Sequence, residues 1–145
     1  MRILGLDLGS KTIGVALSDE IGTIAMPLMT IKRAGINKDL QELSRLCAEH
    51  GVGSIVVGMP INMDGSIGSS GVAAQKFMER LEKASGLLVA AWDERLSTVA
   101  VTRTLIEADM SREKRKKAVD KLAASYILQG FLDGLRRSKG GDVED

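Results

Sequence analysis

Three places in the sequence put carboxylates where an ordinary core or surface would not have them. Asp7 lies inside the apolar run of "MRILGLDLGSKTIGVALSDE", just before a Gly-containing turn. Asp93 and Glu94 close a second apolar run, "LLVAAW". Asp120 is followed by Ala123, Ala124 and Ile127, its neighbours on one helical face. An ionised carboxylate in apolar surroundings is costly unless a cation or hydrogen bonds compensate it. Three of them at one edge would repel one another without a divalent cation. An all-oxygen donor set selects Mg²⁺ or Mn²⁺, and the single His50 cannot build a zinc site. The competing role for Asp7 is to cap the turn through the amides of Ser10 or Lys11. Asp93 and Glu94 are adjacent, so a strand turns them to opposite faces and only one can face a site. The other pairs with Arg95 or caps the next helix.

Two further stretches have phosphate-binding character. Loop 58–71, "GMPINMDGSIGSSG", is Gly-rich and leads into a helix, the arrangement that offers backbone N–H groups to an anion. It contains neither G-x-G-x-x-G nor a Walker lysine, so dinucleotide and P-loop readings fail. Arg112, Lys114, Arg115, Lys116, Lys117 and Lys121 form a locally basic stretch in a chain of net charge +1. Such a stretch is a solvated helix start or a phosphate-binding surface, and its place beside Asp120 favours the second. Aromatics are limited to Phe77, Trp92, Tyr126 and Phe131, too few for a base-stacking single-strand platform.

The elements that must position these residues follow from periodicity. Runs 2–8, 12–18 and 23–32 are apolar and separated by short turns, which predicts an antiparallel meander of three strands. From Asn37, a candidate N-cap, the period becomes helical, with Leu40, Leu43, Leu46 and Cys47 on one stripe and Gly51 past the end. "SIVVG" at 54–58 and "LLVAAW" at 87–92 read as buried strands. A helix over 70–85, with Val72, Phe77 and Leu81 inward, separates them. Further helices are predicted over 97–108 and 117–137. The fold class expected is therefore α/β, a five-stranded mixed sheet with helices on both faces.

At 145 residues the chain is one domain, expected over 1–138, with a flexible tail at 139–145. One cysteine, Cys47, excludes an intrachain disulfide and fits a reducing compartment. There is no apolar run of the roughly 18 residues a membrane span needs and no signal peptide, so a cytoplasmic protein is expected.

Four stretches together carry a resemblance: "LGLDLGSKTIGVALSD", "IVVGMPINMDGS", "WDERLST" and "KKAVDKLAASYILQGFLD". In this order and spacing they resemble the signature blocks of the YqgF family, the RuvX-like Holliday junction resolvases. The one mild departure is Lys11, where many relatives carry Arg; charge is kept and the planar fork lost. The first block is also similar to a phosphate motif of actin-like and sugar-kinase ATPases, but those need two lobes and this chain has length for one. The resemblance implies an RNase H-like fold and a metal-dependent nuclease of the cytoplasm. The substrate it implies is the 5′ end of pre-16S rRNA, with cleavage of branched DNA as the alternative and a non-catalytic nucleic-acid or ribosome-binding module as a third reading. It also implies Asp7, Glu94 and Asp120 as the catalytic and metal-binding set, with Asp93 in reserve. Two Mg²⁺ or Mn²⁺ ions about 4 Å apart would be bridged by Asp7, for in-line hydrolysis to a 5′-phosphate and a 3′-hydroxyl. Nucleic-acid contacts are expected at Lys11, at Asn62 and Gly65 of the glycine loop, and at Lys114, Arg115, Lys116 and Lys117. Ribosomal particles are candidate partners, no membrane is expected, and the protein would be a monomer or homodimer.

Overall fold

A computed structural model describes residues 1–96 and 112–144, with side chains over 1–96 and 122–138. Five strands form one mixed sheet in the order β3-β2-β1-β4-β5. They are β1 (Arg2–Leu8), β2 (Thr12–Ser18), β3 (Ala25–Lys32), β4 (Val52–Met59) and β5 (Leu88–Asp93). β1, β2 and β3 are the antiparallel meander; β4 and β5 add parallel to β1. Helix α1 (Ile36–His50) precedes β4, α2 (Ser69–Ser85) precedes β5, and α3 (Arg112–Glu144) closes the described chain. The five-stranded mixed sheet read from periodicity is the sheet observed.

Strand alternation sorts the core into two layers. Leu4 and Leu6 of β1 and Ile55 and Val57 of β4 pack with Leu40, Leu43 and Leu46 of α1 and Phe77 and Leu81 of α2. Val56 and Ala16 face the other way, onto Ala124, Leu128 and Leu132 of α3. On this second face Gly5 and Gly58 have no side chain, and α3 fills the space. A Cβ on Gly5 would lie 2.7 Å from Leu128 Cβ, and one on Gly58 would strike Ile127 Cδ1. The small residues Ala123 and Ala124 complete the close approach of helix to sheet.

Several boundaries differ from the sequence reading for local reasons. β3 begins at Ala25, because the amides of Thr23 and Ile24 donate to Asp19 Oδ1 and belong to the turn. α1 is capped by Gly35 rather than Asn37, whose Oδ1 accepts instead from Arg80 Nη2. Its C-cap is Gly51, at φ 65°, where a left-handed residue is needed. Val72 is 43% exposed; the buried stripe of α2 is Gly71, Ala74, Phe77 and Leu81. Val72 precedes Phe77 by five residues, about 140° around the helix. β5 is an edge strand, half-exposed rather than buried, with Leu88 67% exposed. α3 begins at Arg112 and runs past Arg137 to Glu144, so the basic stretch lies on helical backbone rather than between helices. Gly140 and Gly141 cost a helix only about 1 kcal/mol each, too little to stop it. The helix expected over 97–108 lies outside the described residues.

Candidate active site

Three neighbouring parallel strands end side by side. Leu6 of β1 pairs with Val57 of β4, and Gly58 of β4 pairs with Trp92 of β5. Asp7, one residue past Leu6, is the penultimate residue of β1, and Glu94, two residues past Trp92, opens the 3₁₀ turn Glu94–Leu96 after β5. Asp7 alternates with Leu6 and so shares the α3 face with Gly5. Glu94 turns to the same side, since its Oε2 would stand 3.5 Å from a Cβ on Gly58. Both line one open cleft of about 450 Å³, together with Gly9, Ser10, Arg33 and Ser70. A second cavity of about 240 Å³ adjoins it, sharing Pro60, Ser70 and Glu94 and adding Asn62 and Gly68.

Asp93 takes a different path. Its carboxylate receives Arg95 Nε at 3.1 Å and Nη2 at 2.8 Å, and the Arg95 backbone N–H at 2.9 Å. The Arg95 guanidinium holds the Asp93 carboxyl below the usual carboxylate range. Arg95 also donates from Nη1 to the Asn62 carbonyl, which ties the end of β5 to the glycine loop.

That loop is organised by its own side chains. Asp64 Oδ1 accepts from the Ser66 amide and hydroxyl, which lowers the Asp64 carboxyl. Asn62 Nδ2 donates to Ser66 Oγ, and Gly65 sits at φ 88°, a conformation that favours glycine. Of the residues expected to contact nucleic acid, Asn62 lines the smaller cavity, while Lys11 and Gly65 line neither. The side chains of Asp120, Lys114, Arg115, Lys116 and Lys117 lie outside the described residues. Position 120 precedes Ala124 by four residues, one turn along the stripe that packs on Gly5. Among the described residues no group of three or more His, Cys, Asp or Glu forms a metal site. Asp7 and Glu94 supply two oxygen-donor groups, a hard-cation set that fits Mg²⁺ or Mn²⁺ once a third donor joins.

Two residues of this region escape a reading of the sequence for catalytic groups. Arg33, directly after β3, lines the cleft. Its Nη1 donates to the Gly9 carbonyl at 2.8 Å, its Nε to Asp39 Oδ2 at 3.4 Å, and its Cζ lies 5.5 Å from the Phe77 ring centroid. Asp39 is 2% exposed on α1 and also accepts the Ala34 amide at 2.9 Å. The available signal was an acid at the i, i+4, i+7 spacing with Leu43 and Leu46, on a face otherwise apolar.

A family model described as RuvX, Holliday junction resolvase, matches residues 1–134. The chain belongs to the RuvX family. Relatives named "Putative pre-16S rRNA nuclease" from Clostridium botulinum and Clostridium perfringens are 53% and 54% identical over 137 residues, 94% of this chain and 100% of theirs. Thermus thermophilus RuvC in complex with Holliday junction substrate superposes with a TM-score of 0.56 at 12% identity, over 94% of this chain and 96% of that one. Another Thermus thermophilus RuvC structure gives 0.58 at 12% identity. At that identity the likeness is one of fold, and it agrees with the RNase H-like sheet of this RuvX-family chain. Among the described residues no helix is long and apolar enough to cross a membrane.

Proposed function

We propose that this RuvX-family protein is a metal-dependent nuclease that hydrolyses phosphodiester bonds in structured nucleic acid, with the 5′ region of precursor 16S rRNA as its substrate. The observation that carries the reading is the pair Asp7 and Glu94, delivered from the ends of β1 and β5 to one open cleft. Relatives that share about half of its residues and carry the pre-16S nuclease name support the RNA substrate. The family description supports branched DNA as the second candidate.

In this mechanism Asp7, Glu94 and Asp120 would hold two divalent cations. Such ions, when bound, acidify the attacking water and neutralise charge at the leaving oxygen. The protein's own contribution is positional. Asp7 is fixed by the β1–β2 ladder, in register with Gly14. Glu94 is fixed by a turn that the Asp93–Arg95 pair clamps from the opposite side. Asn62 and the first turn of α2 offer polar groups to the phosphates flanking the scissile bond, and the basic start of α3 adds charge without reading bases. Such contacts select shape, a junction or a single-strand to duplex boundary, over sequence. The setting for this substrate is the cytoplasm and its assembling ribosomal particles.

The test is cleavage by purified protein of a precursor 16S RNA fragment and of a four-way DNA junction, with Mg²⁺, with Mn²⁺ and with EDTA. Metal-dependent cleavage of the RNA in preference to the junction is expected. Cleavage of the junction alone would transfer the protein to the second substrate. Absence of cleavage on both would leave a nucleic-acid-binding module.

A further inference from the structure

Arg33 is held in a way that a purely structural brace does not require. Five N–H donors are available on a guanidinium, and two are used, Nε on Asp39 and Nη1 on the Gly9 carbonyl. Three remain, and among the described residues none accepts from Nη2. The side chain is nevertheless 29% exposed and lines the same cleft as Asp7, Glu94 and Ser70. Asp39, the Gly9 carbonyl and the Phe77 ring fix the plane of the group on three sides, so the unused N–H edge keeps a defined direction. A planar fork with fixed orientation is the form of cation suited to phosphate oxygens.

We propose that Arg33 binds a phosphate of the substrate strand in the cleft, as a substrate-contacting residue alongside the acidic set. The inference rests on the reading of the cleft as a nuclease site. The ligand chemistry is a phosphodiester, which RNA and branched DNA share. The buried Asp39 cancels much of the long-range attraction of Arg33, so its contribution is a short-range, directed contact rather than steering. Arg33 also reaches the carbonyl of Gly9, two residues from Asp7, so the phosphate it holds and the acidic set are referred to the same β1–β2 turn.

Binding of a labelled single-stranded oligoribonucleotide and of a four-way DNA junction is titrated against salt in Ca²⁺, which prevents turnover. Arg33→Gln should flatten the slope of log affinity against log salt by about 0.7 on the RNA and about 0.9 on the DNA, one lost phosphate contact. Arg33→Lys should keep the slope, because a charge still meets the phosphate, while affinity falls several-fold with the loss of the fork. A residue that only braced the turn would change melting temperature and leave both slopes as in wild type; unchanged slopes in Arg33→Gln overturn the proposal. Should Arg33→Gln not fold, the Nε–Hε resonance of Arg33 in ¹⁵N-labelled wild-type protein is followed during oligonucleotide addition. A saturable shift supports the contact, and an unshifted signal overturns it. Wild-type cleavage in Mg²⁺, run in parallel, reports separately on the nuclease reading. A protein that cleaves while Arg33→Gln keeps its slope loses this inference alone; one that cleaves nothing while the slope falls loses the nuclease reading alone.

Discussion

Replacing Gly5 by Ala should destabilise the protein, although the same change at a strand glycine of ordinary φ usually helps. Gly5 is not among the positive-φ glycines, so added Cβ bulk meets no backbone strain. Loss of unfolded-state freedom alone would stabilise Gly5→Ala by about 0.4–1 kcal/mol. Against this, the new Cβ would stand 2.7 Å from Leu128 Cβ and 3.3 Å from the Ala124 carbonyl oxygen. Carbon atoms at rest lie about 3.5–4.0 Å apart. α3 must therefore back away by about 1 Å, because neither a Cβ nor a backbone oxygen can swing aside. Overpacking of this kind costs about 1–3 kcal/mol, and the rigid neighbours put Gly5→Ala at the upper end. The net of about 2 kcal/mol corresponds to a fall in melting temperature of about 4–8 °C. Gly53→Ala is the control. Its Cβ would come equally near Met1, 2.8 Å from Sδ and 2.9 Å from Cβ, but Met1 is the exposed terminal residue ahead of β1, so its backbone and side chain can move together. Gly53→Ala should be neutral or slightly stabilising. Thermal unfolding by circular dichroism, with both variants at one protein concentration, decides it. If Gly5→Ala melts at or above wild type, α3 does not sit on the sheet as described.

The ends of β5 should separate by function: Glu94→Ala removes cleavage with little effect on the fold, while Asp93→Ala keeps measurable turnover and loosens the glycine loop. Loss of turnover in Asp93→Ala alone would exchange their roles. Acid should weaken the fold below about pH 4, the region of the unfolded carboxyl pKa. Asp133 is held low by the Gln129 amide and by Arg136, and Asp93 by Arg95. A depressed folded pKa gives stability that is present above the unfolded value and lost as pH falls through the folded one. Urea unfolding from pH 7 to pH 3 should show a plateau and then a decline, shallower in Asp133→Asn; identical curves would refute the assignment. Changing Lys114, Arg115, Lys116 and Lys117 together to Gln should weaken binding to all nucleic acids and flatten the salt slope by roughly 0.7–0.9 per lost contact. An unchanged slope would make the stretch a solvated helix face.

The strands and the two inner helices were legible because apolar periodicity is a local property. "SIVVG" could only be covered on both faces, and Leu40, Leu43 and Leu46 could only form a stripe. The edge position of β5 was not legible, since an apolar run does not say how many neighbours it has. Val72 was misplaced because hydrophobicity was weighed without helical phase. At the site, the position of Asp7 at a strand end was legible from the apolar run around it. The choice between Asp93 and Glu94 was not settled by alternation alone; the observed pairing of Asp93 with Arg95 leaves Glu94 in the cleft. Arg33 was invisible as a cleft residue. Its placement depends on Asp39, six residues on, and on Phe77 from a different helix, contacts that no short motif encodes.

Asp7 should serve the reaction rather than the fold. The most direct test is Asp7→Asn, purified beside wild type and assayed on a precursor 16S RNA fragment in Mg²⁺ and Mn²⁺, with melting temperature measured on the same samples. Asp7→Asn should melt close to wild type without metal, because the amide keeps the shape of the carboxylate, and should cleave nothing. A correctly folded Asp7→Asn protein with full metal-dependent cleavage would contradict that role for Asp7.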